Sequence, residues 1–446
     1  MQTTTSAPRP LETERSPWLR GSLRVPGDAT LSALALAVAA LARGETIIED
    51  AFAGPEADTL AAALRELGVH LERVDGVWRV EGVGIKGFLA PLNDLDSGAS
   101  PLVAALLMGL CGTSDFGARL VGDPQPVTHF DALLAGLLRF GTSVTAAEGG
   151  RLPVDLHGPR LAPPIEWRLP ADLPAAKPGL LLAALHSPGT SKFIEDVTQP
   201  NHPERMLAAF GAKVTMTAGD EAGRTIELGG LPQLRGRTVH VPGDPSMAAL
   251  AAMAATIVPN SDLRIENVLL NPARTMFLSA LVAMGASVEA HGLTIRDGEE
   301  VADLAVKHQP LHGVALGAGH VALMLDEIPY LAVAAAFAEG DTVLNLPNAL
   351  PIEASVRIAA TARGLAANGV FCEASEETFI ISGTGDVRGR GRVITGQDPA
   401  VGMAFLVLGM AAREQVTIDD QTGIEERFPG FVELFEKAGA SFVRLT

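Results

Sequence analysis

The chain has 446 residues, 47% of them hydrophobic, and this length predicts two globular domains with large cores. Asp and Glu outnumber Lys and Arg by 52 to 34, which gives a net charge of −18. An acidic chain without a basic run disfavours nucleic acid and anionic membrane surfaces as partners. The two cysteines, Cys111 and Cys372, have neither the spacing of metal ligands nor a disulfide pattern. They predict a reducing, cytoplasmic environment and no metal site.

The first twenty residues lack an apolar segment, so residues 1–20 are predicted to form a disordered tail. The chain then repeats one pattern: an Asp or a turn, an Ala/Leu/Val-rich helix, a short strand and an amphipathic helix that ends on Gly. The first helices begin near Asp28, Asp96, Asp172, Asp244, Asp326 and Asp398. The second helices end at Gly68, Gly141, Gly211, Gly285, Gly369 and Gly439. A step of roughly 70 residues is typical of a βαβ-type unit. The apolar helices are shorter than the ~20 residues of a membrane span.

The tetrapeptide Val-Pro-Gly-Asp occurs at 25–28, before the first repeat, and again at 241–244, before the fourth. Because Pro restricts one backbone angle and Gly tolerates a large change, these two turns predict a double hinge. The N-terminal lobe would hold repeats 1–3 (28–241). The C-terminal lobe would hold 21–27 together with repeats 4–6 (242–446). A small-molecule ligand is expected in the cleft between the lobes.

Short runs distributed along the chain resemble one family. They are Gly122–Asp123, Asn201–Leu207 (compare DHTERML), Asn271–Thr275 (NPTRT), Asp326–Pro329 (DEIP) and Phe428–Phe431 (FPGF). With the hinge turn, they resemble the EPSP synthases, or 3-phosphoshikimate 1-carboxyvinyltransferases, over about 21–442. The resemblance implies a two-domain inside-out α/β barrel with three βαβαββ repeats per domain. It also implies a cytoplasmic enolpyruvyl transferase of the shikimate pathway, with neither cofactor nor metal.

The same resemblance marks positions at which this chain lacks the residue that the family carries. A Lys and an Arg that bind substrate anions correspond to Ala29 and Leu34, and the general-acid Glu corresponds to Ala354. The Arg that holds the carboxylate of phosphoenolpyruvate corresponds to Ala400. The other substituted positions are Ala105, Leu173, Ala175, Pro200 and Pro351.

Asp326 is the predicted catalytic base, since the resemblance gives it as one of the two key ionic residues that remain. The other candidates for the cleft are Thr30, His129, Lys177, Glu327, Glu353, Arg357 and Asp398. For Lys177, the alternative is a solvated helix side chain.

Other charged residues also have structural interpretations. An Asp directly before a helix is typical of an N-cap, which applies to Asp28, Asp244 and Asp398. Arg357 stands four residues after Glu353, the spacing of an i,i+4 ion pair on a helix.

The missing cations lead to the main functional hypothesis. A charge-assisted hydrogen bond contributes about 1.5–3 kcal/mol, so the loss of some six cations removes on the order of 9 kcal/mol of binding free energy. We therefore expect a catalytically impaired or repurposed paralogue, a pseudoenzyme. Its ligand would be less anionic, such as a neutral carbocycle, or it would bind a protein partner, such as an active synthase.

Two alternatives remain open. The first is an enzyme of different chemistry, an elimination or proton transfer on a neutral shikimate-like carbocycle. It would use Asp326 as base with His129 or Lys177 nearby, and a dry cleft that raises the pKa of Asp326 would favour it. The second is a functional 3-phosphoshikimate 1-carboxyvinyltransferase whose cations come from other positions.

Overall fold

The computed structural model describes residues 8–124, 128–197, 199–219 and 223–445. Its helices are, in chain order, α1 (Ala29–Leu41), α2 (Pro55–Glu66), α3 (Pro101–Gly112), α4 (Asp131–Arg139), α5 (Ala176–Ala184), α6 (His202–Ala209), α7 (Pro245–Ile257), α8 (Met276–Ala283), α9 (Ala318–Ala322), α10 (Ile328–Ala336), α11 (Ile352–Ala367), α12 (Pro399–Ala411), α13 (Ile424–Arg427) and α14 (Phe431–Ala438). None of them is long and apolar enough to span a membrane.

The strands come between these helices. They are β1 (Leu11–Glu14), β2 (Arg20–Leu23), β3 (Arg43–Glu49), β4 (His70–Val74), β5 (Val77–Val83), β6 (Leu95–Asp96), β7 (Gly117–Val121), β8 (Ser143–Ala147), β9 (Arg151–His157), β10 (Glu166–Arg168), β11 (Thr190–Glu195), β12 (Val214–Ala218), β13 (Arg224–Gly229), β14 (Thr238–His240), β15 (Asp262–Leu269), β16 (Ser287–Arg296), β17 (Glu299–Lys307), β18 (Leu311–His312), β19 (Ala315–Leu316), β20 (Ala338–Asn345), β21 (Phe371–Ala374), β22 (Thr378–Thr384), β23 (Arg392–Val393), β24 (Val416–Ile418) and β25 (Ser441–Arg444).

The chain divides into two compact units. Unit one comprises the described residues up to Pro26, then Gly243–Thr294 and the described chain from Glu300 onward; unit two comprises Gly27–Pro242 and Ile295–Glu299. The units differ from the predicted lobes by one residue at each turn and in the assignment of 295–299. The double hinge and the cleft stay predictions.

Each unit contains three mixed sheets. In unit two the strand orders are β14-β3-β5-β4, β6-β7-β9-β8 and β10-β11-β13-β12. In unit one they are β16-β17-β15-β2, β18-β20-β22-β21 with β19 beside β20, and β23-β24-β1-β25. Each sheet carries one repeat, so the predicted α/β architecture of six repeats in two parts is confirmed.

The first helix of each repeat forms the core of its unit. In unit one, α7, α10 and α12 pack against one another, and every residue of α7 is buried. In unit two, α3 packs against both α1 and α5. A helix that is apolar around its whole circumference has to be enclosed on all sides, which explains why the sheets lie outside the helices.

The ends of the helices follow the sequence signals in part: Asp96 lies in β6, so α3 begins five residues later with Ser100 as its cap, and α5 begins four residues after Asp172. The side chains of Asp28, Asp244 and Asp398 accept hydrogen bonds from backbone N–H groups in the first turns of α1, α7 and α12, so the predicted N-caps are confirmed. The glycines predicted to end the second helices all have positive φ angles, between 84° and 114°. In this region of φ a side chain is strained, which is the reason for Gly at these positions.

The predicted disordered tail differs from the structure over part of its length. Residues 1–7 lie outside the described residues. Residues Leu11–Glu14 form β1, which pairs antiparallel with both β24 and β25. Leu11 is fully buried, and the hydroxyl of Thr13 donates to the carbonyl of Leu406 at 2.7 Å. A strand of four residues is too short to be recognised when both of its partners are more than 400 residues away.

One glycine in each of two equivalent sheets touches the end of the neighbouring core helix. A methyl group on Gly82 in β5 would lie 2.2 Å from the carbonyl oxygen of Ala39. A methyl group on Gly383 in β22 would lie 2.2 Å from the carbonyl oxygen of Ala335. The first and fifth repeats therefore share one constraint: the strand has to approach the helix backbone closely.

We expect Gly383→Ala to lower the free energy of unfolding by about 3 kcal/mol, because the added carbon overlaps a backbone oxygen that cannot turn away. Gly319→Ala is the matched control, since nothing lies within 4 Å of the added carbon and the site is in α9. That control should be unchanged or up to about 1 kcal/mol more stable. Urea unfolding of both variants measures the difference. Equal midpoints for Gly383→Ala and the wild type would contradict the expected overlap.

His186 links the stability of unit two to pH. The residue follows α5 and is completely buried. Burial lowers the pKa of its imidazole to about 4, and the carbonyls of Leu182 and Ala183 offset this only in part. The unfolded chain has the ordinary His pKa of about 6.5, so it binds the proton first as the pH falls. The contribution of the neutral His186 to stability is therefore fully present above about pH 6.5 and is lost as the pH falls towards 4.

We expect the free energy of unfolding to fall by about 2 kcal/mol between pH 7 and pH 5 through His186 alone. Urea unfolding at the two pH values measures the whole pH dependence. His186→Leu removes the titrating group. The loss of stability between pH 7 and pH 5 should therefore be smaller in this variant than in the wild type, by about 2 kcal/mol. An identical pH dependence in the variant and the wild type would show that His186 is not responsible.

Candidate functional site

In unit one, three of the predicted site residues are in direct contact. The guanidinium of Arg357, on α11, donates from Nη1 to Asp326 Oδ1 at 2.6 Å and from Nε to Asp398 Oδ2 at 2.7 Å. Burial favours the neutral form of Arg357, but the charges of Asp326 and Asp398 prevail and raise its pKa. Arg357 therefore joins the start of α10 to the start of α12. Its ion pairs are with these two aspartates and not with Glu353 as the i,i+4 spacing suggested.

Asp326 and Glu327 are adjacent in the chain but have opposite environments. The side chain of Asp326 is 64% exposed, so unit one does not enclose it in the dry site that the elimination hypothesis required. Glu327 is buried and accepts a hydrogen bond from the hydroxyl of Ser246. Burial raises the pKa of Glu327, and the neighbouring charge of Asp326 adds to this effect. Glu327 is thus the carboxyl group of the pair whose pKa is raised, although the hydrogen bond from Ser246 opposes this shift.

Two further arginines lie close to these carboxylates. Arg274, in the Asn271–Thr275 turn, is 3.6 Å from Asp244, the N-cap of α7. Arg427 is the last residue of α13, and the charges of Asp244, Asp326 and Glu327 act on it. We call the whole group the carboxylate–arginine cluster. Its members are Asp244, Arg274, Asp326, Glu327, Arg357, Asp398 and Arg427.

Sequence reasoning missed three members of this cluster as site residues: Asp244, Arg274 and Arg427. Asp244 was interpreted only as a helix cap. Both arginines stand in or beside runs that carried the family resemblance, since Arg274 is in Asn271–Thr275 and Arg427 directly precedes Phe428. Their position next to those runs was the available signal.

The remaining predicted residues of unit one lie around the cluster. Ala354 is buried on α11, and Ala400 is buried in the first turn of α12 beside its cap. Pro351 and Glu353 are exposed at the start of α11.

In unit two, Lys177 is a buried residue with saturated donors. Its side chain is 2% exposed, and Nζ donates to Glu195 at 2.7 Å, to Glu204 at 3.0 Å and to the carbonyl of Pro200 at 2.7 Å. Arg224 is also 3.3 Å from Glu195. The interpretation of Lys177 as a solvated side chain is therefore wrong. All three protons of its ammonium group are used within the protein.

His129 lies beside an open cavity of unit two. Its Nδ1 is 2.8 Å from the carbonyl oxygen of Gly149, and the residue is exposed. The neighbouring cavity has a volume of about 390 Å³, and its lining includes Arg151 together with the carboxylates Asp123 and Glu148. Arg151 gives this part of the unit a permanent cation next to a histidine.

The other predicted positions of unit two are apolar or small, as the sequence states. Ala29 and Thr30 are half-buried in the first turn of α1, and Leu34 is buried in the same helix. Ala105 is buried in α3. Leu173, Ala175 and Pro200 are half-buried near α5.

Comparison with known proteins identifies the family. Residues 14–435 match the family described as EPSP synthase (3-phosphoshikimate 1-carboxyvinyltransferase). A protein of that name from Chelativorans sp. is 41% identical over 436 residues, which is 97% of this chain and 97% of the relative. Another from Rhizobium johnstonii is 40% identical over 98% of both chains. The solved EPSP synthase from Acinetobacter baumannii is 31% identical, covers 98% of this chain and 100% of its own, and has a TM-score of 0.91.

These findings correct the main functional hypothesis. Full-length relatives at about 40% identity have the name of the working enzyme, so the prediction of an impaired or repurposed paralogue is wrong. The neutral carbocycle and the protein partner have no support in these relatives either. The likeness extends over nearly the whole sequence and both units, and the chain therefore belongs to the EPSP synthase family.

Proposed function

We propose that this chain is a functional 3-phosphoshikimate 1-carboxyvinyltransferase. It transfers the enolpyruvyl group of phosphoenolpyruvate to a hydroxyl group of 3-phosphoshikimate and releases inorganic phosphate. The single observation that carries the proposal is the 41% identity with a relative of that name over 97% of both chains. We further propose that both substrates bind in a cleft between the lobes, that the reaction needs no cofactor or metal, and that the protein is cytoplasmic.

The carboxylate–arginine cluster supports this chemistry. A carbon–oxygen bond to the acceptor hydroxyl forms, the bond to the phosphate oxygen breaks, and the hydroxyl proton has to leave. A base for that proton has to reach the substrate, and Asp326 is the exposed carboxylate of the cluster. Arg357 fixes its position through a 2.6 Å hydrogen bond. Glu327, whose pKa is raised by burial, lies next to it.

The substrates are anions, so the site also has to supply cations. This chain has apolar or small residues at the positions where the resemblance places those cations, so these positions do not supply positive charge. Other positions in each unit support the proposal instead. Unit one contributes Arg274, Arg357 and Arg427, and unit two contributes Arg151 beside His129 at the cavity.

A phosphate-release assay with purified protein tests the proposal. We expect inorganic phosphate to appear only when phosphoenolpyruvate and 3-phosphoshikimate are both present, with one equivalent of enolpyruvyl product for each phosphate. Each substrate alone is the control for simple hydrolysis. If no phosphate is released above the enzyme-free blank at saturating substrates, the proposed activity is wrong.

We expect Asp326→Asn to lower kcat by about a hundredfold or more, since removal of a general base typically costs 10²–10⁴ in rate. Arg357→Lys should lower kcat as well, because an ammonium group cannot hold both aspartates in a fixed geometry. Asp341→Asn is the matched control: the residue is exposed on β20, and the change in charge is the same as at Asp326. Thermal unfolding accompanies each assay. Equal kcat values for Asp326→Asn and Asp341→Asn would exclude Asp326 as the base.

A further inference from the structure

Glu327 stands at the N-cap position of α10, but its side chain does not cap that helix. Within the part of the chain that the structure describes, its carboxylate accepts no hydrogen bond from the N–H groups of the first turn. It accepts one instead from the hydroxyl of Ser246, in the first turn of α7, and both residues are buried. Burial of a carboxyl group costs free energy unless hydrogen bonds compensate it, so stability of α10 alone does not explain a glutamate at this position.

Ser246 has a fixed position at the start of α7. Its backbone N–H donates to Asp244 Oδ1 at 2.8 Å, and Pro245 precedes it in the first turn. Every residue of α7 is buried, and the helix packs against α10. The hydroxyl of Ser246 is therefore a rigid anchor, and it holds the residue that directly follows Asp326.

Asp326 lies between this anchor and a second one. The guanidinium of Arg357 donates from Nη1 to Asp326 Oδ1 at 2.6 Å and to the carbonyl of Leu325 at 3.3 Å. Hydrogen bonds thus hold the residue before Asp326, the carboxylate of Asp326 itself, and the side chain of Glu327 after it. Because Arg357 does not contact the chain on the α10 side, the bond from Ser246 to Glu327 is the one that fixes the backbone there.

We propose that Ser246 and Glu327 form a positioning pair that orients the carboxylate of Asp326 towards the acceptor hydroxyl of the substrate. This inference rests on the proposed function, in which Asp326 is the base. A base has to lie within about 2.6–3.2 Å of the group whose proton it takes. A misplacement of about 1 Å can lower the rate by about a hundredfold. The pair acts through Asp326 and touches neither substrate.

The test measures kcat and KM in the phosphate-release assay for Ser246→Ala, which removes the donor, and Glu327→Met, which removes the acceptor. We expect each change to lower kcat by about tenfold or more, because a misplaced base slows proton removal. The KM values should stay unchanged, since substrate binding does not depend on the pair. The double variant should be no slower than the slower single variant, because both changes remove the same hydrogen bond.

Two further variants separate positioning from other roles. Glu327→Gln keeps an oxygen that accepts from Ser246, so it should keep most of the wild-type kcat. If Glu327 itself transferred a proton, Glu327→Gln would be as slow as Glu327→Met. Thr256→Val is the matched control for stability, since it removes a buried hydroxyl from the other end of α7, where it donates to the carbonyl of Ala252. Its kcat should equal that of the wild type even if its thermal unfolding temperature falls as far as that of Ser246→Ala.

A wild-type kcat in Ser246→Ala, assayed at a temperature at which the variant is folded, would overturn the inference. If Ser246→Ala and Glu327→Met do not fold, Glu327→Gln decides, since a tenfold or larger loss of kcat in that variant also overturns it. The same assay separates this inference from the proposed function. No phosphate release by the wild type would refute the synthase activity, whereas release at equal rates by the wild type and Ser246→Ala would refute the positioning pair alone.

Discussion

The burial of three apolar helices in each unit determines where the chemistry can lie. Such helices have no polar face, so the sheets enclose them, and in unit one acidic residues stand directly before the first turns of α7, α10 and α12. In unit one the amino-terminal ends of α7, α10 and α12 meet, because Glu327 bonds to Ser246 and Arg357 joins Asp326 to Asp398. Each helix start carries partial positive charge, which favours carboxylates there. One packing constraint therefore brings together acidic residues that are widely separated in the sequence.

So many carboxylates in one place would repel one another without compensation. The structure compensates this repulsion in two ways. Outer elements supply guanidinium groups, with Arg357 from α11, Arg274 from a turn and Arg427 from α13. In addition, burial raises the pKa of Glu327 and so favours its neutral form. The exposed Asp326 keeps access to solvent, whereas burial raises the pKa of its neighbour Glu327, so two adjacent carboxyl groups have opposite environments.

The repeat and its boundaries could be predicted because they depend on local backbone geometry. A residue with positive φ favours Gly, and a helix start favours Asp, so both signals can be read in sequence. The strand Leu11–Glu14 could not be predicted, since its partners β24 and β25 are at the other end of the chain. In the candidate site, the environment of Lys177 could not be predicted for the same reason. Its partners Glu195 and Glu204 are 18 and 27 residues away, and no local pattern distinguishes a buried ion pair from a solvated lysine.

The error in the functional hypothesis has the same physical origin. It counted cations at the positions where the family carries them, and Ala29, Leu34 and Ala400 each counted as a loss. Binding of an anion, however, depends on the charges and donors that reach the ligand in space, whichever element supplies them. Arg274 and Arg427 come from turns and short helices that converge on the starts of the core helices. A site at such a convergence can exchange one cation for another from a different element while the core stays unchanged. The loss of a residue at an aligned position is therefore weak evidence for loss of activity until the spatial neighbours of that position are known.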